Sequence, residues 1–300
     1  MHAAMTLLAV AGTVLAGCGT TLENIKLTMA TGIPGGVYNT LGNALADIWS
    51  GRLGIVRPQV VPTAGSVDNI KRLVNGQADI GFTQADAVDT PGSGKLRALA
   101  RMHDDYLQII VRADVKATRL ADLAGLRVSI GEPSSGVELI ASRLLRSAGV
   151  APQIEHLSLD KSADAMQEGK IDAFFWSGGL PTARVTRLTK SLGVRMLDLS
   201  DVLPKLREEY PAYGSATLPA STYNLQGGPV TTLVVRNFLL ATESMSDEVA
   251  EALVRQLFES LPDLVKASSA ARTIEPRTAI ETTPVPLHPG AMRYFRDVKV

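Results

Sequence analysis

Two Gly-rich junctions, each leading from a β-rich run into a helical pattern, constrain this chain more than any other feature. The first is Ile25-Lys26-Leu27-Thr28-Met29-Ala30-Thr31-Gly32-Ile33-Pro34-Gly35-Gly36-Val37-Tyr38. The second is Leu126-Arg127-Val128-Ser129-Ile130-Gly131-Glu132-Pro133-Ser134-Ser135-Gly136-Val137-Glu138. A helix entered through such a loop presents free backbone N–H groups and the positive end of its dipole. Two such ends in two similar halves predict one anionic or zwitterionic small molecule held between two lobes.

A second repeat supports the two halves. Asn75-Gly76-Gln77-Ala78-Asp79-Ile80-Gly81-Phe82 is similar to Glu168-Gly169-Lys170-Ile171-Asp172-Ala173-Phe174-Phe175. Both read as a helix closed by Gly, then Asp, then a buried strand. The wider pattern alternates. Strands are predicted over 25–30, 59–62, 79–83, 96–102, 106–112, 127–130, 154–156, 173–176, 194–197 and 231–235. Helices are predicted over 37–50, 66–75, 137–147, 161–168, 181–192, 246–257, 261–270 and 291–298. The tail from Thr273 to Pro289 carries Pro276, Pro284, Pro286 and Pro289, so it cannot be one regular helix. Strands alternating with helices predict an α/β class with a parallel-rich sheet.

The N-terminus predicts the compartment. Thr6 to Gly17 is apolar or small and runs into Leu15-Ala16-Gly17-Cys18, which is similar to the lipobox of bacterial lipoproteins. On that reading 1–17 is a signal peptide, Cys18 is the lipidated first residue, and 18–24 is a linker. The apolar run is too short for a membrane span. Cys18 is the only cysteine, which excludes an intrachain disulfide. Lys plus Arg and Asp plus Glu are 30 each, so net charge points to neither nucleic acid nor a membrane surface.

Enzyme signatures are absent from the sequence. No G-x-G-x-x-G follows the first strand, and there is no Walker-type loop, no G-x-S-x-G elbow and no H-E-x-x-H. The histidines at 2, 103, 156 and 288 are dispersed. Neither a cofactor nor a metal is expected.

The binding candidates follow from residue chemistry. Gly35 and Gly36 admit close backbone approach to a ligand, and Tyr38 adds a hydroxyl; the same residues also suit a tight turn with Tyr38 packed inside. Ser66 either caps its helix or donates to a ligand carboxylate. Gln84 and Asp86 follow a strand's C-terminal end, where open α/β sheets bind ligands. Asp86 either pairs with a ligand ammonium or is a surface acid. Ser134, Ser135 and Gly136 place a hydroxyl pair at a helix start, as an anion site or as plain N-capping. Trp176 offers an apolar wall, with Ser177 and Gly178 as polar contacts.

Five separated stretches then resemble one family. They are Thr31-Gly32 with Gly35-Gly36-Val37-Tyr38, Thr63 to Asn69, Gly76 to Asp86, Gly131 to Gly136, and Gly169 to Pro181. Together they look like the TAXI solute receptors of TRAP transporters. The resemblance implies a class II periplasmic-binding-protein fold, each lobe a mostly parallel sheet flanked by helices. It implies lobe 1 from 25–112 plus 225–300 and lobe 2 from 113–224, closing about crossovers near 112–114 and 216–225. It further implies a lipid-anchored periplasmic monomer that is not an enzyme. That receptor would bind a small carboxylate-bearing solute, an amino acid such as glutamate or a dicarboxylate, and dock on TRAP membrane subunits. Two other readings remain: an enzyme on the same fold related to thiamin-precursor synthases, and a lipoprotein sensor module.

Overall fold

The computed structural model describes residues 22, 24–225 and 228–300. The signal-peptide expectation and Cys18 lie outside the described residues. In the first half of the chain the order is β1 (Thr28–Ala30), α1 (Val37–Leu53), β2 (Gln59–Val61), α2 (Ser66–Val74), β3 (Ile80–Gln84), then a long β4 (Leu96–Arg112). The same run repeats as β5 (Arg127–Ser129), α3 (Gly136–Ala148), β6 (Gln153–Glu155), α4 (Leu159–Gln167) and β7 (Ala173–Gly178). There follow α5 (Ala183–Ser191), β8 (Val194–Met196), α6 (Leu203–Glu209), β9 (Tyr213–Leu218) and a long β10 (Val230–Thr242). The chain closes with α7 (Asp247–Glu259), α8 (Leu261–Ala267), α9 (Pro276–Ala279) and α10 (Pro289–Asp297).

Strands β2-β1-β3 are parallel, and β6-β5-β7 repeat that order in the second lobe. The repeated Asp residues explain part of this symmetry. Asp79 accepts the N–H of Thr28 at 2.7 Å, and Asp172 accepts the N–H of Arg127 at 2.9 Å. Each carboxylate therefore secures the first residue of the central strand of its lobe, satisfying a backbone donor that would otherwise go unpaired.

Strands β4 and β10 join the lobes. The first half of β4 pairs with the end of β10, and β10 pairs with β3; the second half of β4 pairs with β7 and β8, while the start of β10 pairs with β9. The crossing thus lies inside two strands, at 102–106 and 235–238. This corrects the expected crossovers near 112–114 and 216–225: Arg112 and Leu225 lie within or beside the second lobe. The register of β4 against β10 shifts between Arg236 and Phe238, at the crossing, and again between Leu239 and Leu240. The run His103-Asp104-Asp105 does not break the strand: Arg101 pairs with Asp104, Gln84 Nε2 donates to Asp105 Oδ2, and Asn237 Nδ2 donates to the His103 carbonyl. Helix α6 and strand β9 were not expected from the sequence. The Pro-bearing tail contains only the four-residue α9 within the expected irregular stretch.

Helix α1 buries Leu41, Leu45 and Trp49, an i, i+4, i+8 stripe, against the helices that end the chain. Burying each such side chain contributes about 1.5–3 kcal/mol. A second core lies on the other face of the sheet. It runs without interruption from Ile70, Leu73 and Ala85 in the first lobe to Ile140, Leu144 and Val128 in the second. Among the described residues no helix is long and apolar enough to cross a membrane.

Candidate functional site

Four βα junctions converge where the lobes meet. Gly36, Gly65, Ser135 and Ser158 are the N-caps of α1, α2, α3 and α4, and all four border one cleft. The cavity within it is about 80 Å³, room for on the order of six waters. Four helix N-termini give this space a positive backbone field without any basic side chain. Ser135 accepts from the Glu138 N–H at 3.0 Å and Ser158 from the Lys161 N–H at 3.4 Å. Helices α1 and α2 have no side-chain cap, so the N–H groups of their first turns carry no such side-chain partner.

The floor of the cleft is polar and buried. Gln84, at the end of β3, donates through Nε2 to Ser177 Oγ on β7 at 2.7 Å and to Asp105 Oδ2 on β4 at 3.0 Å. Its Oε1 has no partner, nor does Asp105 Oδ1. His103 Nε2 lies 3.3 Å from Asp105 Oδ1, without hydrogen-bond geometry. Tyr38 stacks on Phe82 with ring centroids 5.2 Å apart, and its hydroxyl donates to Asn237 Oδ1 on β10. Burial first, and the Asp105 carboxylate second, hold the Tyr38 phenol well above its ordinary pKa, so it stays a neutral donor. Asn237 Nδ2 in turn donates to the His103 carbonyl at 3.1 Å, tying the network to the crossing strands.

Apolar surface closes the remaining sides. Trp176 is the main wall, oriented by a 3.0 Å bond from Nε1 to Thr182 Oγ1. Beyond it lies an outer chamber of about 420 Å³, bordered by Pro34, Gly35, Thr182, Arg184 and Ser268. The lobes touch at Gly136: a Cβ there would overlap Gln84 Oε1 and come within 2.9 Å of Ser66 Oγ.

Of the sequence candidates, Gly36, Tyr38, Ser66, Gln84, Ser135, Gly136, Trp176, Ser177 and Gly178 border the cleft. Ser66 is the first residue of α2 rather than its cap; its hydroxyl accepts the Gln84 N–H at 3.1 Å. Gly35 borders the outer chamber instead. Ser134 sits at the rim, where its carbonyl accepts the Asp68 N–H and its hydroxyl accepts from Lys71. Asp86 is turned away from the cleft. It accepts from the Tyr213 hydroxyl at 2.7 Å and lies 3.6 Å from Arg143, which also reaches Asp89 at 3.3 Å. Burial pushes Asp86 up to about 6, against those partners. It is therefore neither a surface acid nor a residue that meets a ligand ammonium. Two carboxylates border the cleft, Asp105 and Glu132; sequence reasoning missed Asp105, at its floor. The signal was the charged run 103–105 between two apolar strand segments.

The comparisons with known proteins agree with this architecture. The NMT1-like family matches residues 29–298. Two curated relatives, both named small neutral protease regulatory protein, come from Streptomyces lividans and Streptomyces coelicolor. Each is 29% identical, over 220 and 221 residues, covering 66% of this chain and 62% and 65% of the relatives. The chain thus spans less than two thirds of their length. A Xanthomonas citri protein solved with ATP superposes at a TM-score of 0.56 and 16% identity, covering 91% of this chain and 95% of that one. A Listeria monocytogenes protein assigned as an L-cystine ABC transporter gives 0.53 and 16%, covering 81% and 94%. A Bordetella bronchiseptica RB50 protein gives 0.54 and 17%, covering 90% and 88%. At these identities the likeness is one of fold: two mixed α/β lobes of the periplasmic-binding-protein kind. With nine-tenths of its length matched, the chain belongs to the NMT1-like family.

Proposed function

We propose that this protein is an extracytoplasmic solute receptor that captures a small carboxylate-bearing molecule between its lobes. The observation that carries this reading is the convergence of four helix N-termini on one cleft between the lobes. Such a site binds an anionic group by backbone donors and field, and asks for no reaction. We read the protein as a non-catalytic TAXI-type receptor of a TRAP transporter, anchored through a lipid on Cys18 at the periplasmic face. The likeness in fold to a protein assigned as an L-cystine ABC transporter is in keeping with solute capture.

A second reading rests on the two Streptomyces relatives, whose name is that of a regulatory protein. On it, the same cleft reports a solute to a partner without transport.

The test is a calorimetric and thermal-shift screen of the protein against amino acids and organic acids. A solute that binds and is recovered unchanged by mass spectrometry supports a receptor; its chemical conversion supports an enzyme instead. Uptake of that solute by vesicles holding TRAP membrane subunits, dependent on added receptor, separates transport from sensing.

A further inference from the structure

The inner cleft and the outer chamber share a wall. Ile33, Gly36, Val37, Leu159 and Trp176 border both. The only side-chain donor among the five is the Trp176 indole N–H, and it is already given to Thr182 Oγ1 at 3.0 Å. The boundary between the two spaces is therefore hydrocarbon and indole. Two features hold the Trp176 ring there. Thr182 Oγ1 accepts from it and is itself bound to the Gly179 carbonyl at 2.8 Å. Gly178 leaves it room: a Cβ at Gly178 would stand 2.8–3.0 Å from Nε1 and two ring carbons, closer than non-bonded atoms pack.

The two spaces differ in size and charge. The inner cavity, about 80 Å³, has room for a carboxylate and about three carbons. The outer chamber is about 420 Å³. Its charged side chains are committed or wet: Arg184 pairs with Asp160 at 3.2 Å and with Asp164, and Arg187 is exposed. The remaining wall mixes apolar residues such as Pro34 and Leu180 with hydroxyls such as Thr40 and Ser269.

We infer that the outer chamber is a second subsite, and that the solute is a carboxylate whose apolar body, alkyl or aryl, passes Trp176 and lies in that chamber. This rests on the solute-receptor reading, with the carboxylate head at the helix starts, and extends it. The head fills the inner cavity, so a chain longer than about four carbons has the outer chamber to enter. At the boundary such a body leaves water for hydrocarbon and the indole, which is favourable. A polar segment there would lose hydrogen bonds that no side chain of the shared wall replaces. Trp176 is thus the residue that selects the body of the solute, and Gly178 and Thr182 are the residues that position it.

The experiment is calorimetry on the wild-type protein with straight-chain acids from ethanoate to octanoate, with 3-phenylpropanoate, and with octan-1-ol as the control without a carboxylate. From butanoate to octanoate, affinity is expected to rise by roughly two- to fourfold per methylene, the worth of burying a CH₂ in part or in full. Octan-1-ol is expected to bind at least about tenfold more weakly than octanoate, because it lacks the charged head. Trp176→Ala, which removes the wall, and Gly178→Ala, which displaces the ring, are each expected to flatten the rise to less than about twofold per methylene. Affinity that falls with chain length overturns the inference and leaves the receptor reading standing. So does a rise that both variants leave unchanged, and the wild-type series stands even where a variant does not fold. Octan-1-ol as tight as octanoate overturns the carboxylate head and the receptor reading built on it. Binding by no member of the series removes both.

Discussion

Gln84 and Ser177, 93 residues apart and on opposite lobes, are joined by a 2.7 Å hydrogen bond from Nε2 to Oγ. The bond is buried, with both residues no more than 6% exposed. It records that the lobes are in contact across the cleft floor. Ser177→Ala leaves Gln84 one donor short of a partner without removing bulk. Solute affinity is expected to fall by about 2–10-fold, the range of a net neutral hydrogen bond of 0.5–1.5 kcal/mol. Calorimetry with whichever solute the screen yields checks this, and unchanged affinity would strip the pair of any part in closure.

Gly136 is where the lobes come closest. A methyl group there collides with Gln84 Oε1 in the closed arrangement, yet nothing about α3 itself forbids alanine, a better helix former. Gly136→Ala is therefore expected to keep its circular dichroism spectrum and weaken solute binding by about 5–150-fold, the 1–3 kcal/mol of an overpacked site in which Gln84 must shift. Small-angle scattering is expected to show a larger radius of gyration than for the wild type. A variant that binds normally would mean that the contact at Gly136 is not required for capture.

Asp86 sets a pH dependence of unusual sign. Burial raises its pKa from 3.8 to about 6, so the native state binds a proton that the unfolded state releases between those values. Stability from this group is therefore greatest at low pH and falls as pH rises from about 4 to about 6, by roughly 3 kcal/mol at 1.36 kcal/mol per pKa unit. His288 works in the other direction: burial lowers its pKa, so its contribution is lost as pH falls below the ordinary histidine value. The difference between wild type and Asp86→Asn isolates the first effect. Urea unfolding at pH 4.5 and pH 7 is expected to show Asp86→Asn gaining stability relative to wild type at the higher pH. Parallel pH profiles would contradict the assignment.

Asp79 and Asp172 perform one task in two lobes, each accepting the first N–H of a central strand. Asp172 also forms a two-pronged pair with Arg127, at 3.0 and 2.6 Å. Asp79→Ala and Asp172→Ala are each expected to cost about 1–3 kcal/mol, the loss of a hydrogen bond to a charged group. Their effects are expected to add within about 0.5 kcal/mol, as at separate sites. Equilibrium denaturation of the two single variants and the double variant tests both statements. A strongly non-additive result would mean that the lobes do not hold their strands independently.

The internal repeat was legible because glycine-closed helices and apolar strands leave local marks. The order β1 to β3 and its copy β5 to β7 needed nothing beyond those marks. The crossing was legible only in part: 106–112 reads as a crossover candidate, but its continuity with 96–102 was hidden, because His103-Asp104-Asp105 reads as a break. Asp86 and Asp105 show the limit for the site. Both are acids in or just after a strand, and only distant partners tell them apart. Arg143 is 57 residues from Asp86 and Tyr213 is 127 away. Facing is decided by tertiary neighbours, which local spacing does not encode.

The apolar core shared by α2, α3 and the sheet has a mechanical consequence. Together with Arg143 bridging Asp86 and Asp89, it welds one flank of the cleft shut. Parting the lobes on that side would wet buried hydrocarbon at about 25 cal/mol per Å² and strand a buried guanidinium. On the opposite flank the lobes border the 420 Å³ chamber between Gly35 and Thr182. In a closing receptor this asymmetry would make a door hung along one edge rather than a pair of free jaws. A partner that reads closure would then meet one moving edge, the one framed by Pro34, Trp176 and Arg184.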